Sequence, residues 1–274
     1  MRISKVRTIH LAEMKSRGEK IVMLTAYDFP TGRLADQAGV DVVLVGDSVG
    51  NVVLGLRNTI AVTLDQMIHH CAAASRGVER ALLVVDMPFM SHKLSAEQAM
   101  ANAARLMQEG GAEAVKLEGG EEIAPTVARL VAAGIPVMGH VGLTPQSLHQ
   151  LGGYRVQGRT EREIERLLAD ARALADAGIF ALVIELVLAT VSRRLTKSVT
   201  VPTIGIGAGP YCDGQVLVLH DLLGLQRTPK RFVKAYAHLD RVISDAIKQY
   251  ATEVRRGRFP SRRHSFANPR KKVR

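Results

Sequence analysis

Short runs of Val, Ile and Leu recur along the chain, each closed by Gly, Pro, Ser or Thr and followed by a stretch whose apolar positions have helical spacing. Eight such runs stand out, at 21–27, 40–46, 81–85, 114–117, 135–139, 181–184, 203–206 and 215–219. Most are apolar at consecutive rather than alternate positions, as strands covered on both faces require. Ser95 with Gln98 and Thr160 with Glu163 have the spacing of capping boxes at helix starts, and Gly110, Gly134 and Gly178 mark helix stops. An extra helix is expected at 8–17, before the first strand, and a long last helix at 239–255.

Eight strand-then-helix units in 274 residues match an α/β fold of the (β/α)8 TIM barrel type, whose usual size is about 250 residues. An open doubly wound sheet is the alternative. Against it, no G-x-G-x-x-G follows the first strand and the chain has no P-loop. No low-complexity linker divides the chain, so residues 1–256 read as one barrel domain and 257–274 as a basic C-terminal tail.

Composition sharpens this only a little. Apolar residues make up 47% and charged residues 23%, a globular balance. Cys71 and Cys212 are too few for a disulfide framework and fit a reducing compartment. The net charge of +11 invites a nucleic-acid reading until it is placed: nine Lys and Arg with no acid lie in 255–274, leaving +2 for the remaining 254 residues. Without interleaved aromatics such a run reads as a solvated tail, and nucleic acid is not the expected partner. The first twenty residues lack an apolar segment behind their basic ones, and no run reaches the roughly 18–20 apolar residues of a membrane span, so a cytoplasmic protein without membrane contact is expected.

In a barrel of this kind the chemistry sits at the C-terminal ends of the strands. The polar residues that end the runs are Tyr27 and Asp28, Asp47 and Ser48, Asp86, Lys116 and Glu118, His140, Glu185, and Asp221. Asp47, Asp86 and Glu118 supply hard oxygen donors from neighbouring strands, which suits Mg²⁺ with water and substrate completing its shell. Any one of these acids could instead cap a helix or pair with an arginine. Lys116 lies two residues before Glu118, so on a strand both face the same way, and the ammonium could hold a substrate carboxylate. Glu185, among Val183, Ile184, Leu186 and Val187, is a candidate base. Tyr27 and His140 are candidates for the substrate pocket. His69 and His70 read as helix residues, the glycines of 205–209 as close backbone approaches or an anion site, and the glycine-rich stretch 152–158 as a cover or an oligomer contact.

The motifs Thr25-Ala26-Tyr27-Asp28, Leu44-Val45-Gly46-Asp47-Ser48-Val49-Gly50, Val85-Asp86-Met87-Pro88-Phe89-Met90, Val115-Lys116-Leu117-Glu118-Gly119-Gly120 and Gly139-His140-Val141-Gly142-Leu143-Thr144-Pro145-Gln146-Ser147 resemble those of ketopantoate hydroxymethyltransferases. So do Gly152-Gly153-Tyr154-Arg155-Val156-Gln157-Gly158 and Gly205-Ile206-Gly207-Ala208-Gly209, and the likeness runs from about Thr8 to Phe266. The resemblance implies a barrel of the phosphoenolpyruvate mutase/isocitrate lyase type, a Mg²⁺ site and a homo-oligomer, a decamer in that family. It implies metal-site roles for Asp47, Asp86 and Glu118, the last through water. Asp47, Ser48, Asp86 and Lys116 would bind substrate, and Glu185 would be the base. The implied reaction transfers a hydroxymethyl group from 5,10-methylenetetrahydrofolate to 2-oxoisovalerate through a Mg-stabilised enolate, giving 2-dehydropantoate for pantothenate and coenzyme A synthesis. Two rivals are a carbon–carbon lyase or mutase of the same barrel group, which would carry a cysteine-bearing catalytic loop, and a nucleic-acid-binding protein using the tail. This chain departs from the family pattern in lacking a proline shortly after Glu185 and in extending beyond Phe266.

Overall fold

The computed structural model describes residues 4–226 and 230–266. The chain divides into two compact units, Met1–Leu219 with Arg231–Val233, and His220–Lys230 with Lys234–Arg274. All eight apolar runs are strands: β1 Ile21–Thr25, β2 Val42–Val45, β3 Leu82–Asp86, β4 Ala114–Glu118, β5 Val137–Gly142, β6 Ala181–Glu185, β7 Thr203–Ile206 and β8 Gly214–Leu217. They close in sequence order into a parallel barrel in which β8 pairs with β1. The helices are α1 Thr8–Arg17, α2 Phe29–Gln37, α3 Val49–Val52, α4 Leu64–Ser75, α5 Ala96–Gln108, α6 Ala124–Ala132, α7 Leu148–Leu151, α8 Glu161–Asp176, α9 Ala189–Ser198, α10 Leu219–Leu222 and α11 Leu239–Arg255.

The period of two along each strand divides the core into two clusters. Val43, Val45, Leu83, Val85, Val115, Leu117, Leu182 and Ile184 join the cluster shared with the helices. Val42, Leu44, Leu82, Val84, Ala114, Met138, Ala181 and Val183 fill the inside of the barrel. Continuing the inner parity by one step brings Asp86 after Val84, Lys116 and then Glu118 after Ala114, His140 after Met138, and Glu185 after Val183. The consecutive apolar character of these runs therefore means two cores of opposite parity, with the polar residues placed at the top of the inner one.

Local signals correct some expected details. Ser95 and Thr160 do accept from the backbone N–H groups of Gln98 and Glu163. Glu163 Oε2 takes its bond from Arg159 N at 2.7 Å rather than returning to Thr160. At the end of α5 it is Gly111, with φ 73°, that turns left-handed, not Gly110; Gly134 and Gly178 do so as expected. Gly110 is needed for space, since a Cβ there would lie 2.4 Å from Leu106 O. Asp28 caps α2 by accepting from Thr31 N at 2.8 Å, and Asp221 pairs with Lys230 at 2.8 Å, so both acids have structural tasks. Cys71 and Cys212 are free and buried. The glycines after β7 meet side chains closely: a Cβ on Gly209 would lie 2.6 Å from Ala189 Cβ.

In the second unit, α11 buries none of its residues and exposes Val242, Ile243, Ile247, Tyr250 and Val254 along one side. Residues 267–274 of the expected basic tail lie outside the described residues. Among the described residues no helix is long and apolar enough to cross a membrane.

Asp36, near the end of α2, was not singled out by any sequence pattern. Its carboxylate accepts from Glu79 N, Arg80 N and Ala81 N at 2.6–3.2 Å, gathering the segment that enters β3. Removing it strands those donors in a half-dry site, where each charge-assisted bond counts for about 1.5–3 kcal/mol. Asp36→Ala should lower unfolding stability by about 2–4 kcal/mol in urea titration, and Asp36→Asn, which keeps one acceptor oxygen, by roughly half as much. A loss below about 0.5 kcal/mol for the alanine variant would refute the assignment.

Candidate active site

Strand register sets the site. Asp86 is level with Lys116, Glu118 with His140, and Gly142 with Glu185 in adjacent strands. His140 thus sits within β5, two residues before its end, rather than closing the strand as the apolar run implied. Asp47 follows β2 and is reached through the backbone: its N–H donates to Asp86 Oδ2 at 3.0 Å. A Cβ on Gly46 would meet Ser48 Oγ at 2.8 Å and Asp86 Oδ2 at 3.4 Å, so glycine there leaves the two groups room to face each other.

One connected set results. Lys116 Nζ lies 3.0 Å from Asp86 Oδ1 and 3.1 Å from His140 Nδ1. His140 Nε2 lies 3.3 Å from Glu185 Oε2, and its Nδ1 3.5 Å from Glu118 Oε1. Tyr27 Oη and Ser48 Oγ share a hydrogen bond of 2.8 Å at the edge of the set. Asp47, Asp86, Lys116, Glu118, His140 and Glu185 are therefore linked in one cluster, and Tyr27 and Ser48 are linked to each other. Asp47, Asp86, Lys116, Glu118 and His140 are buried to within 4% of their full exposure. Glu185 is the more open acid, its side chain 16% exposed.

The charge balance is uneven. Burial, then the charges of Glu118 and Asp86, hold the Asp47 carboxyl well above the usual carboxylate range. Burial likewise pushes Asp86 up, against the pull of Lys116. Burial would lower the Lys116 ammonium, but Asp86, Glu118 and Asp47 together hold it above its ordinary value, so it stays charged. Glu118 goes the other way: the hydrogen bond and charge of His140, with Lys116, outweigh its burial. Burial and Lys116 would lower His140, and the two carboxylates beside it, Glu118 and Glu185, raise it. When the ring is neutral, a donating Lys116 places the imidazole proton on Nε2, facing Glu185.

Three buried acids against one ammonium leave, when all three are ionised, an excess of negative charge that a divalent cation of oxygen preference would relieve. The residues fit such an ion only in part. Among the described residues no three acidic, histidine or cysteine side chains are gathered closely enough to cage it alone, so water or ligand oxygens must complete the shell.

Two buried polar residues of the cluster were missed by the sequence reading. His92 Nε2 lies 3.1 Å from Glu118 O. Gln146 donates from its backbone to Glu118 Oε2 and from its side chain to Asp47 Oδ2, both at 2.9 Å. Pro145 was the available signal for Gln146, since proline at the first position of a helical turn leaves the next N–H pointing forward and unbonded within the turn. The glycine-rich stretch 152–158 is anchored beside the same site: Gln157 N donates to Leu186 O at 2.7 Å, next to Glu185.

Comparison with known proteins agrees with this architecture. The chain is similar to phosphonopyruvate hydrolase, solved with oxalate and Mg²⁺, at a TM-score of 0.60 and 15% identity over 94% of this chain and 92% of that one. It is similar to 2,3-dimethylmalate lyase, a member of the PEP mutase/isocitrate lyase superfamily, at a TM-score of 0.58 and 16% identity over 97% and 91%. These likenesses establish the fold. Sequence relatives are far nearer. The 3-methyl-2-oxobutanoate hydroxymethyltransferase of Moorella thermoacetica is 58% identical over 96% of this chain and 98% of its own length. That of Carboxydothermus hydrogenoformans is 54% identical over 96% of both. The family model described as ketopantoate hydroxymethyltransferase matches residues 5–262. With its closed barrel and its buried acids at the strand ends, the chain belongs to the ketopantoate hydroxymethyltransferase family and is a transferase.

Proposed function

We propose that this enzyme transfers a hydroxymethyl group from 5,10-methylenetetrahydrofolate to 3-methyl-2-oxobutanoate, giving 2-dehydropantoate for pantothenate and coenzyme A synthesis. The observation that carries the reading is the line from Asp86 through Lys116 and His140 to Glu185, which joins a cation-ready group of acids to one more open carboxylate. Asp47, Asp86 and Glu118 would hold Mg²⁺, Glu118 through water, since its two oxygens already face His140 and Gln146 N. When bound, Mg²⁺ would draw charge from the 2-oxo oxygen of the substrate and make the C3 proton acidic.

The chain's own groups would do the rest. Lys116 would hold the substrate carboxylate while remaining paired with Asp86, and Ser48, oriented by Tyr27, would bind a second substrate oxygen. Glu185 would take the C3 proton, with His140 N–H steadying the carboxylate that does so. The carbanion so formed would bond to the one-carbon unit as both bonds from that carbon to the folate nitrogens break. Water would supply the hydroxyl oxygen, and its two protons with the one taken from C3 would end on the product hydroxyl and the two folate nitrogens. Residues 1–256 would carry this chemistry, with the basic segment 257–274 outside it, in a cytoplasmic enzyme. The exposed apolar side of α11 supports assembly into a homo-oligomer, a decamer in our reading.

Mass spectrometry of the product from the two substrates should detect ketopantoate with Mg²⁺ and none with a chelator; product that survives chelation would rule out the metal. Glu185→Gln should cut kcat by about 10²–10⁴-fold with Mg²⁺ still binding, and near-normal turnover would remove Glu185 as the base.

A further inference from the structure

Gln146 is almost wholly enclosed, at 3% of its full exposure, and every donor it owns is spent on the acid cluster or its frame. Its backbone N–H reaches Glu118 Oε2 at 2.9 Å. Its side-chain Nε2 reaches Asp47 Oδ2 at 2.9 Å and Met87 O at 2.9 Å. Met87 O can only accept, which fixes the amide with Nε2 toward it and leaves Oε1 on the other side. That Oε1 is buried and has no hydrogen-bond partner among the described residues.

Two consequences follow from elementary electrostatics. Asp47 and Glu118 repel each other whenever both are ionised, and Gln146 stands between them, donating to each. A single residue that donates to both sets their separation and fixes which oxygen of each is turned away from the cluster's interior bonds. Anchoring to Met87 O, next to Asp86, ties that separation to the third acid. The buried, unspent Oε1 costs free energy unless an O–H or N–H arrives with whatever fills the site. Water carried by a hydrated cation is such a donor, and the acids beside it are what would recruit it.

We infer that Gln146 is a positioning residue for the cation site, holding Asp47 and Glu118 at the spacing a hydrated divalent ion needs and offering Oε1 to one of its waters. This rests on the reading of Asp47, Asp86 and Glu118 as the metal-site acids. Residues in this relation to a metal typically alter its affinity by about 10–100-fold when replaced.

Calorimetric titration of the full chain with Mg²⁺ alone tests it, at a temperature where circular dichroism shows each variant folded. Gln146→Met keeps the volume and removes the amide, and should weaken Mg²⁺ binding by about 10–100-fold. Gln146→Asn keeps the amide one methylene short and should weaken it as well, which preserves the test if the methionine variant does not fold. Leu106→Ala, a cavity in the helix-facing core rather than inside the barrel, should lower Tm and leave Mg²⁺ affinity unchanged. Unaltered affinity in the Gln146 variants would overturn the inference, as would an equal loss in Leu106→Ala, which would make the effect one of general stability. If the unsubstituted protein binds no Mg²⁺, the metal reading itself falls and the inference with it, an outcome the first titration separates from the others.

Discussion

Three carboxylates and one ammonium share the dry upper end of this barrel, and the arrangement around them is governed by the need to keep that charge bearable. A desolvated carboxylate costs several kcal/mol, roughly, unless a cation or several donors face it. Each acid accordingly has its own remedy: Lys116 for Asp86, the Gln146 side chain for Asp47, and the Gln146 backbone amide, with the charge of His140 when its ring is protonated, for Glu118. The remedies come from β4, β5 and the turn after β5, so the electrostatic solution binds strands that hydrogen-bonding alone would leave independent at their ends. What these donors leave uncompensated is the negative surplus to which a divalent ion is suited.

The outline of the fold and most of the site were legible in the sequence for one shared reason. A strand covered on both faces is apolar throughout, so a charged residue at its end is conspicuous, and the alternation of faces says which way it points. Asp86, Lys116, Glu118 and Glu185 were found that way. The same rule could not tell them from Asp28 and Asp221, which end runs equally well and serve as a helix cap and an ion-pair partner. Position along a strand gives direction; it does not give the partner across the gap.

His92, Gln146 and Asp36 stayed hidden because they lie off the strands, where no parity applies. Their partners are distant in sequence: Gln146 meets Asp47 across 99 positions, and Asp36 gathers amides more than forty positions away. Only a folded chain supplies such pairs. The glycines tell a similar story. Gly142, with φ 97° and no room for a Cβ 2.2 Å from Glu185 O, reads in sequence as an ordinary loop glycine and in space as the reason β5 can pass so close beside the base.

The opposed parities of β4 carry a last consequence for how errors in this protein are felt. Val115 and Leu117 face the helices while Lys116 and Glu118 face the barrel interior, so pairing the strand one residue out of register would drive an ammonium and a carboxylate into the aliphatic layer. A mistranslated or truncated copy with that slip would not persist as a feeble catalyst competing for substrate. It would expose its defect as unfolded chain, and the cell's proteases would meet it before any metabolite did.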